Sequence, residues 1–99
     1  MQFTQHIVFY ASDEEAVKSL VEEWESDGST DASGFLGGRL LRFRDKPGRY
    51  VLQADFDSWE SAEANNDRRE TEEWSQKLSE LIDGEPKYEN LDVLADFGG

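Results

Sequence analysis

The stretch from Gly34 to Ala64 constrains the fold more than any other part of the chain. Residues 34–44 read as a strand, break at the charged turn Asp45-Lys46-Pro47-Gly48, and resume as a second strand from Arg49 to Phe56. Proline presets its own φ and glycine accepts a positive one, so a Pro-Gly pair inside a short polar break is a hairpin signal with a mechanism. The second strand runs almost directly into a helix. Asp57 and Glu60, three residues apart, have the spacing of a capping box. Within the first strand the pair Gly37-Gly38 weakens pairing unless it marks a bulge or a close backbone approach.

The flanking segments complete a symmetrical pattern. Phe3 to Tyr10 is β-branched and aromatic, with Phe3, Ile7 and Phe9 on one face. Ser12 and Glu15 predict the start of a helix, Val17, Leu20, Val21 and Trp24 its apolar stripe, and Asp27-Gly28 its end. Residues 29–34 are small and polar, a connector or a lid at a pocket mouth. The helix after Asp57 is interrupted at Asn65–Arg69, and its stripe resumes at Trp74, Leu78, Leu81 and Ile82. Gly84 is the expected C-cap ahead of Glu85-Pro86, and Tyr88 to Ala95 the last strand. The order is β-α-β-β-α-β, a ferredoxin-like α+β fold in which one four-stranded antiparallel sheet carries both helices on one side. Residues 1–99 form a single domain.

Strict alternation puts Phe35, Gly37, Arg39, Leu41 and Phe43 on one side of the hairpin's first strand and Leu36, Gly38 and Leu40 on the other. His6, Val8 and Tyr10 likewise oppose Phe3, Ile7 and Phe9. Large apolar groups therefore lie on both sheet faces, and a second copy of the chain is the most economical cover for the face without helices.

Charge narrows the partners. The chain has 23 acidic and 10 basic residues, a formal net charge of −13. Such a polyanion repels nucleic acid and anionic lipid. The acidic residues are spread over loops and helices rather than gathered in a tail, which fits a cytoplasmic protein from a salt-accumulating, halophilic organism, where self-repulsion is screened within about 3 Å. No run approaches a membrane span, and the first residues are not a basic signal-peptide start. With no cysteine and one histidine, neither a disulfide nor a structural zinc site is expected. No cofactor-binding motif is present.

From Tyr50 to Val93 the chain resembles the dimeric α/β-barrel superfamily, in particular small microbial domains similar to antibiotic biosynthesis monooxygenases. The residues that carry this resemblance are Ala54-Asp55-Phe56-Asp57, Ser58 to Ala64, Asn65-Asn66, Glu70 to Trp74, Asp83 to Pro86 and Asn90 to Val93. It implies a homodimer with facing sheets and a small pocket in each subunit between sheet and helices. Cofactor-free members oxidise aromatic polyketides or quinols with molecular oxygen, using Asn, Trp, Tyr or His side chains. Residues 68–74 contain no histidine, so the haem-degrading branch is disfavoured, and Arg68 falls near where many quinol-oxidising members place a histidine.

The candidate site residues are Asn65, Asn66, Trp59 and His6, and each has a purely structural counterpart. Asn65 and Asn66 orient a ligand carbonyl or an oxygen intermediate, or simply terminate a helix. Trp59 stacks on an aromatic ligand or anchors the helix start. His6, the sole side chain that titrates unperturbed near neutrality, acts in a pocket or packs within a strand. Arg39 is a surface or an anion-steering residue, and Tyr50 and Tyr88 are proton donors or cross-strand packing. Two functions follow: a cofactor-independent monooxygenase acting on an aromatic or quinol-like molecule, or a non-catalytic dimer, ligand-binding or stress-related, that uses the same hydrophobic pocket.

Overall fold

The strands with the cleanest alternation pair at the centre of the sheet. The computed structural model describes residues 1–26 and 34–98, the side chains of 24–26 excepted. In it β1 (Phe3–Ala11) lies antiparallel to β3 (Arg49–Phe56), with Phe3 opposite Phe56 and Ile7 opposite Leu52. The outer strands are β2 (Phe35–Arg42), beside β3, and β4 (Ile82–Asp92), beside β1, giving the order β2-β3-β1-β4. Helices α1 (Glu14–Ser26), α2 (Trp59–Asn66) and α3 (Arg69–Leu81) complete the β-α-β-β-α-α-β chain order. This is the ferredoxin-like α+β arrangement, with its second helix split in two.

Alternation along β1 sends Phe3, Ile7, Phe9 and Ala11 toward the helices, where Tyr50 and Phe56 of β3 join them. Val17 and Leu20 of α1, Trp74 and Leu78 of α3, and Ile82 complete the main cluster, and Val21, Leu40, Leu52 and Leu81 pack partly buried against it. A smaller cluster of Phe3, Phe56 and Ala62 sits under α2. Phe9 and Phe56 are fully buried, and each contributes about 1.5–3 kcal/mol relative to an exposed ring.

Both predicted helix caps shift by one residue. The Ala16 N–H donates to Asp13 Oδ1 at 3.1 Å, so Asp13 rather than Ser12 caps α1. At α2 the Ser61 N–H donates to Ser58 Oγ at 3.2 Å, while Asp57 accepts from the Ser61 hydroxyl at 2.6 Å. The Asp57–Glu60 box is thus replaced by a Ser58 cap braced by Asp57. The predicted end of α1 at Asp27-Gly28, the connector at 29–33 and the Trp24 side chain lie outside the described residues.

Two further expectations are corrected by bulges. In β2 the register steps between Phe35, opposite Phe56, and Gly37, opposite Asp55. The extra residue, Leu36, is 57% exposed, and beyond it alternation reverses. Phe35, Gly38 and Leu40 consequently share the helix-side face, contrary to the strict alternation expected from sequence. Gly38 has a further role: a Cβ there would lie 2.7 Å from the Gln53 carbonyl oxygen, so the approach of β2 to β3 admits no side chain.

In β4 Lys87 pairs with Val8 and Asp83 with Tyr10, leaving Gly84, Glu85 and Pro86 opposite the single residue Phe9. Gly84 takes φ +79° in this bulge and is not a helix C-cap, because α3 has already ended at Leu81. The last strand accordingly starts at Ile82, six residues before the expected Tyr88, and ends at Asp92 rather than Ala95. Pro86 is tolerated because a bulge on an edge strand needs no donor there.

The interruption expected at 65–69 is present as a two-residue break. Arg68 is extended (φ −74°, ψ 142°) between α2 and α3, and its N–H donates to the Asn65 carbonyl at 3.1 Å. On the sheet face without helices, Val8, Val51 and Leu41 lie side by side by register. Tyr10, Leu41 and Leu91 are 50%, 40% and 41% exposed. No described helix is long and apolar enough to cross a membrane.

Candidate functional site

A cavity of about 310 Å³ opens between the sheet and the split helix, within the size range of small-molecule sites. Its floor is Ile7, Leu52, Ala54 and Phe56, with Phe35 and the side-chain-free Gly38 toward the β2 edge; Val21 and Trp74 supply the apolar wall from the helices. The Trp74 indole N–H donates to the Leu20 carbonyl at 3.1 Å, which fixes the ring between α3 and α1.

Polar groups enter this apolar chamber from four elements: Gln5 on β1, Asn65 and Asn66 on α2, Thr71 and Ser75 on α3, and Tyr88 on β4. Asn65 stands out because it is the buried polar residue among the described side chains, at 6% exposure. It occupies the last turn of α2, one turn beyond Ala62, and the break after it brings Thr71 alongside. The Thr71 hydroxyl donates to Asn65 Oδ1 at 3.5 Å. Among the described residues Asn65 Nδ2 has no partner, yet it is not one of the enclosed, unpaired polar atoms, and its residue lines the cavity. The amide N–H2 is therefore open to the cavity as a donor, suited to a carbonyl or phenolate oxygen.

Tyr88 is the ionisable side chain on the cavity side of the sheet; Arg39, at the β2 edge of the cavity, stands opposite Gln53 and so shares the helix-free face with His6. No carboxylate, histidine or lysine belongs to the described wall. The chain's acidity lies elsewhere, so an uncharged aromatic body meets no repulsion or desolvated carboxylate here. Among the described residues no group of three His, Asp or Glu side chains could hold a metal ion.

A second recess of about 320 Å³ lies beside the first, lined by Glu14, Lys18, Val21, Glu22, Leu40, Arg42 and Tyr50. In it Arg42 Nη1 donates to Glu14 Oε1 at 2.8 Å and the Tyr50 hydroxyl to the same oxygen at 3.3 Å. The Arg42 hydrogen bond holds the Glu14 carboxyl below its usual range. Burial pushes the Tyr50 phenol up, and the Glu14 charge adds to that effect.

Of the residues singled out from sequence, Asn65, Asn66 and Tyr88 line the cavity; Arg39 borders it at the β2 edge, with its register opposite Gln53 turning its side chain to the helix-free face. Trp59 and His6 do not. Trp59 is 42% exposed and packs edge-on against Phe3, ring centroids 5.1 Å apart. His6 pairs between Gln53 and Glu89 on the helix-free face, because it alternates with the inward Ile7. Tyr50 belongs to the second recess. Gln5, Thr71 and Ser75 were not anticipated. Gln5 carries a signal nonetheless, as a polar residue in phase with Phe3 and Ile7, and Thr71 and Ser75 fall on the helical face that continues through Trp74 and Leu78.

Neither a protein-family model nor a curated protein sequence matches the chain. Solved structures share its fold. SnoaB, a cofactor-independent oxygenase from Streptomyces nogalater, superposes with a TM-score of 0.83 at 16% identity, covering 99% of this chain and 98% of that one. Rv0793 from Mycobacterium tuberculosis gives 0.80 at 14% identity over 99% and 100% of the two chains. A proposed antibiotic biosynthesis monooxygenase from Caulobacter crescentus CB15 gives 0.80 at 14% identity over 95% and 91%.

Proposed function

We propose that the chain binds an uncharged phenol- or quinol-like aromatic molecule in the cavity between sheet and helices and oxidises it with molecular oxygen, without a cofactor. The observation that carries this reading is the buried Asn65 amide, whose oxygen accepts from Thr71 while its N–H2 has no partner among the described residues, set in a mostly apolar chamber of small-molecule size. The shared fold with a cofactor-independent oxygenase supports it. An electron-rich phenol can itself reduce oxygen once it is deprotonated; with no carboxylate, histidine or lysine in the described wall, its proton passes to solvent water and the bound fraction that reacts is the phenolate held by the Asn65 donor. The side chains then need only exclude water, hold the ring, and stabilise the developing oxyanion, where one well-aimed donor is worth about 10²–10³ in rate. In the monooxygenase stoichiometry a ring CH2 becomes C=O: one oxygen atom enters the product, the other leaves as water with the two hydrogens, and the substrate supplies all four electrons.

We further propose that two copies pair through the helix-free face, where Tyr10, Leu41 and Leu91 are exposed. Asn66, Trp59 and His6 remain candidates for the chemistry. Asn66 is supported by its position on the cavity wall; Trp59 and His6, outside that wall, would need a partner subunit or a rearrangement to reach a ligand.

A second reading is a non-catalytic ligand-binding dimer. It is favoured by the same wall, whose described residues include no carboxylate, histidine or lysine to act as a general base. Oxygen-electrode traces with hydroquinone and anthrone probes, in the presence of a chelator, separate the two. Saturable consumption that falls in Asn65→Ala supports the oxygenase; binding without consumption supports the second reading.

A further inference from the structure

The two cavities have one lining residue in common among the described residues, Val21. It lies on α1, and both it and the cross-strand pair Leu40–Leu52 of the sheet are partly buried against the same core cluster. Leu52 belongs to the wall of the main cavity and Leu40 to that of the recess. Val21 thus borders both a chamber of about 310 Å³ and one of about 320 Å³, and joining the two would roughly double the space open to a ligand.

The chambers differ in chemistry. The main cavity is apolar with uncharged hydrogen-bonding groups. The recess carries two acidic residues, Glu14 and Glu22, and two basic ones, Lys18 and Arg42, so its formal charges cancel. Glu14 is engaged by Arg42 and Tyr50. A charged substituent would meet an opposite and a like charge together, whereas a neutral hydroxylated one finds donors and acceptors in equal supply.

We propose that Val21, closing on Leu40 and Leu52, determines ligand length: with valine the site takes a compact aromatic body, and with a smaller residue the ligand can extend a neutral, hydroxyl-rich arm into the recess. This rests on the reading of the main cavity as a ligand site. It adds a specificity residue on α1, a different element from the α2 turn that carries Asn65, so the two can be varied separately.

The test is titration calorimetry at molar potassium chloride with naphthol and its neutral glucoside, which share a ring system and differ by the arm. Wild type is expected to prefer naphthol by about tenfold or more, the range one misfit group commands in an apolar pocket. In Val21→Ala, and independently in Leu40→Ala, that preference should shrink to about threefold or less, mainly through tighter binding of the glucoside. Circular dichroism identifies which variants are folded, and either one suffices. If both probes bind and their ratio is the same in wild type and in a folded variant, the partition is overturned while the ligand site stands. If neither probe nor any phenol binds wild type, the cavity reading fails and takes this inference with it.

Discussion

The indole N–H of Trp74 donates to the backbone carbonyl of Leu20 at 3.1 Å, across 54 positions of sequence. This one bond ties α3 to α1 and turns the Trp74 ring into a cavity wall. Trp74→Phe keeps most of the ring and removes the donor. The expected cost is about 0.5–1.5 kcal/mol, the net worth of one hydrogen bond, because the Leu20 carbonyl keeps its helical acceptance inside α1. Trp74→Ala should cost about 3–5 kcal/mol. Denaturant melts give both values. If Trp74→Phe is as stable as wild type, the bond has no structural role.

Gly38 predicts a second cost. The Cβ of an alanine there would meet the Gln53 carbonyl oxygen at 2.7 Å, a backbone atom that cannot swing away. Gly38→Ala should destabilise by about 1–3 kcal/mol as the strands are forced apart. Gly84→Ala should also destabilise, through its φ of +79° rather than through a clash, by about 1 kcal/mol. Thermal melts that leave Gly38→Ala unchanged would contradict the close approach.

The Glu14 network fixes a pH dependence. The Arg42 hydrogen bond holds Glu14 below its ordinary pKa of 4.5. A carboxylate depressed in the folded state adds stability above its unfolded pKa and loses it as pH falls through the folded value. Wild type should therefore melt above Glu14→Gln at neutral pH, with the gap closing as the solution is acidified below the ordinary glutamate range. Tyr50 has the opposite sense. Its phenol is raised from 10.0, chiefly by burial, so its contribution is complete below that value and lost as pH rises through the folded one. A Glu14→Gln difference that is constant from neutral pH into strong acid would contradict the network.

Much of the fold was legible because alternation and stripe spacing are local. The inward set Phe3, Ile7 and Phe9 of β1 and the stripe Val17, Leu20 and Val21 of α1 follow directly from those periods. What failed were choices between adjacent or equivalent signals. Ser12 and Asp13, like Asp57 and Ser58, are neighbouring cap formers, and only the backbone geometry selects one. Gly84 satisfies a positive φ equally at a helix end or in a bulge. Leu36 gave no sign that it would be extruded, although the Gly37-Gly38 pair beside it did.

The candidate site was legible in part for the same reason. The break at Asn65 was visible because it interrupts a stripe. Its hydrogen-bonding neighbour Thr71 lies six residues on and meets it only after the chain turns at Arg68. The position of His6 was already implied by its alternation with Ile7, and the structure puts it on the opposite face from the cavity.

Salt should govern both folding and association. With a formal charge of −13 per chain, pairing through the helix-free face brings two strongly negative bodies together. At molar salt the Debye length falls to about 3 Å and the repulsion is screened. The melting temperature should rise steeply from dilute buffer to molar potassium chloride, and light scattering should give twice the 11.3 kDa chain mass there. A persistent single-chain mass at high salt would remove the dimer, and salt-independent melts would remove the halophilic reading.

The central claim is that Asn65 presents a donor to an aromatic substrate that reacts with oxygen. Its most direct test is oxygen uptake by the purified, chelator-treated protein with an anthrone probe, comparing wild type with Asn65→Ala at matched probe occupancy. The account predicts one oxygen molecule consumed per carbonyl product formed, and a rate in Asn65→Ala lower by about 10²-fold or more with binding largely retained. Equal uptake by the two proteins would contradict it.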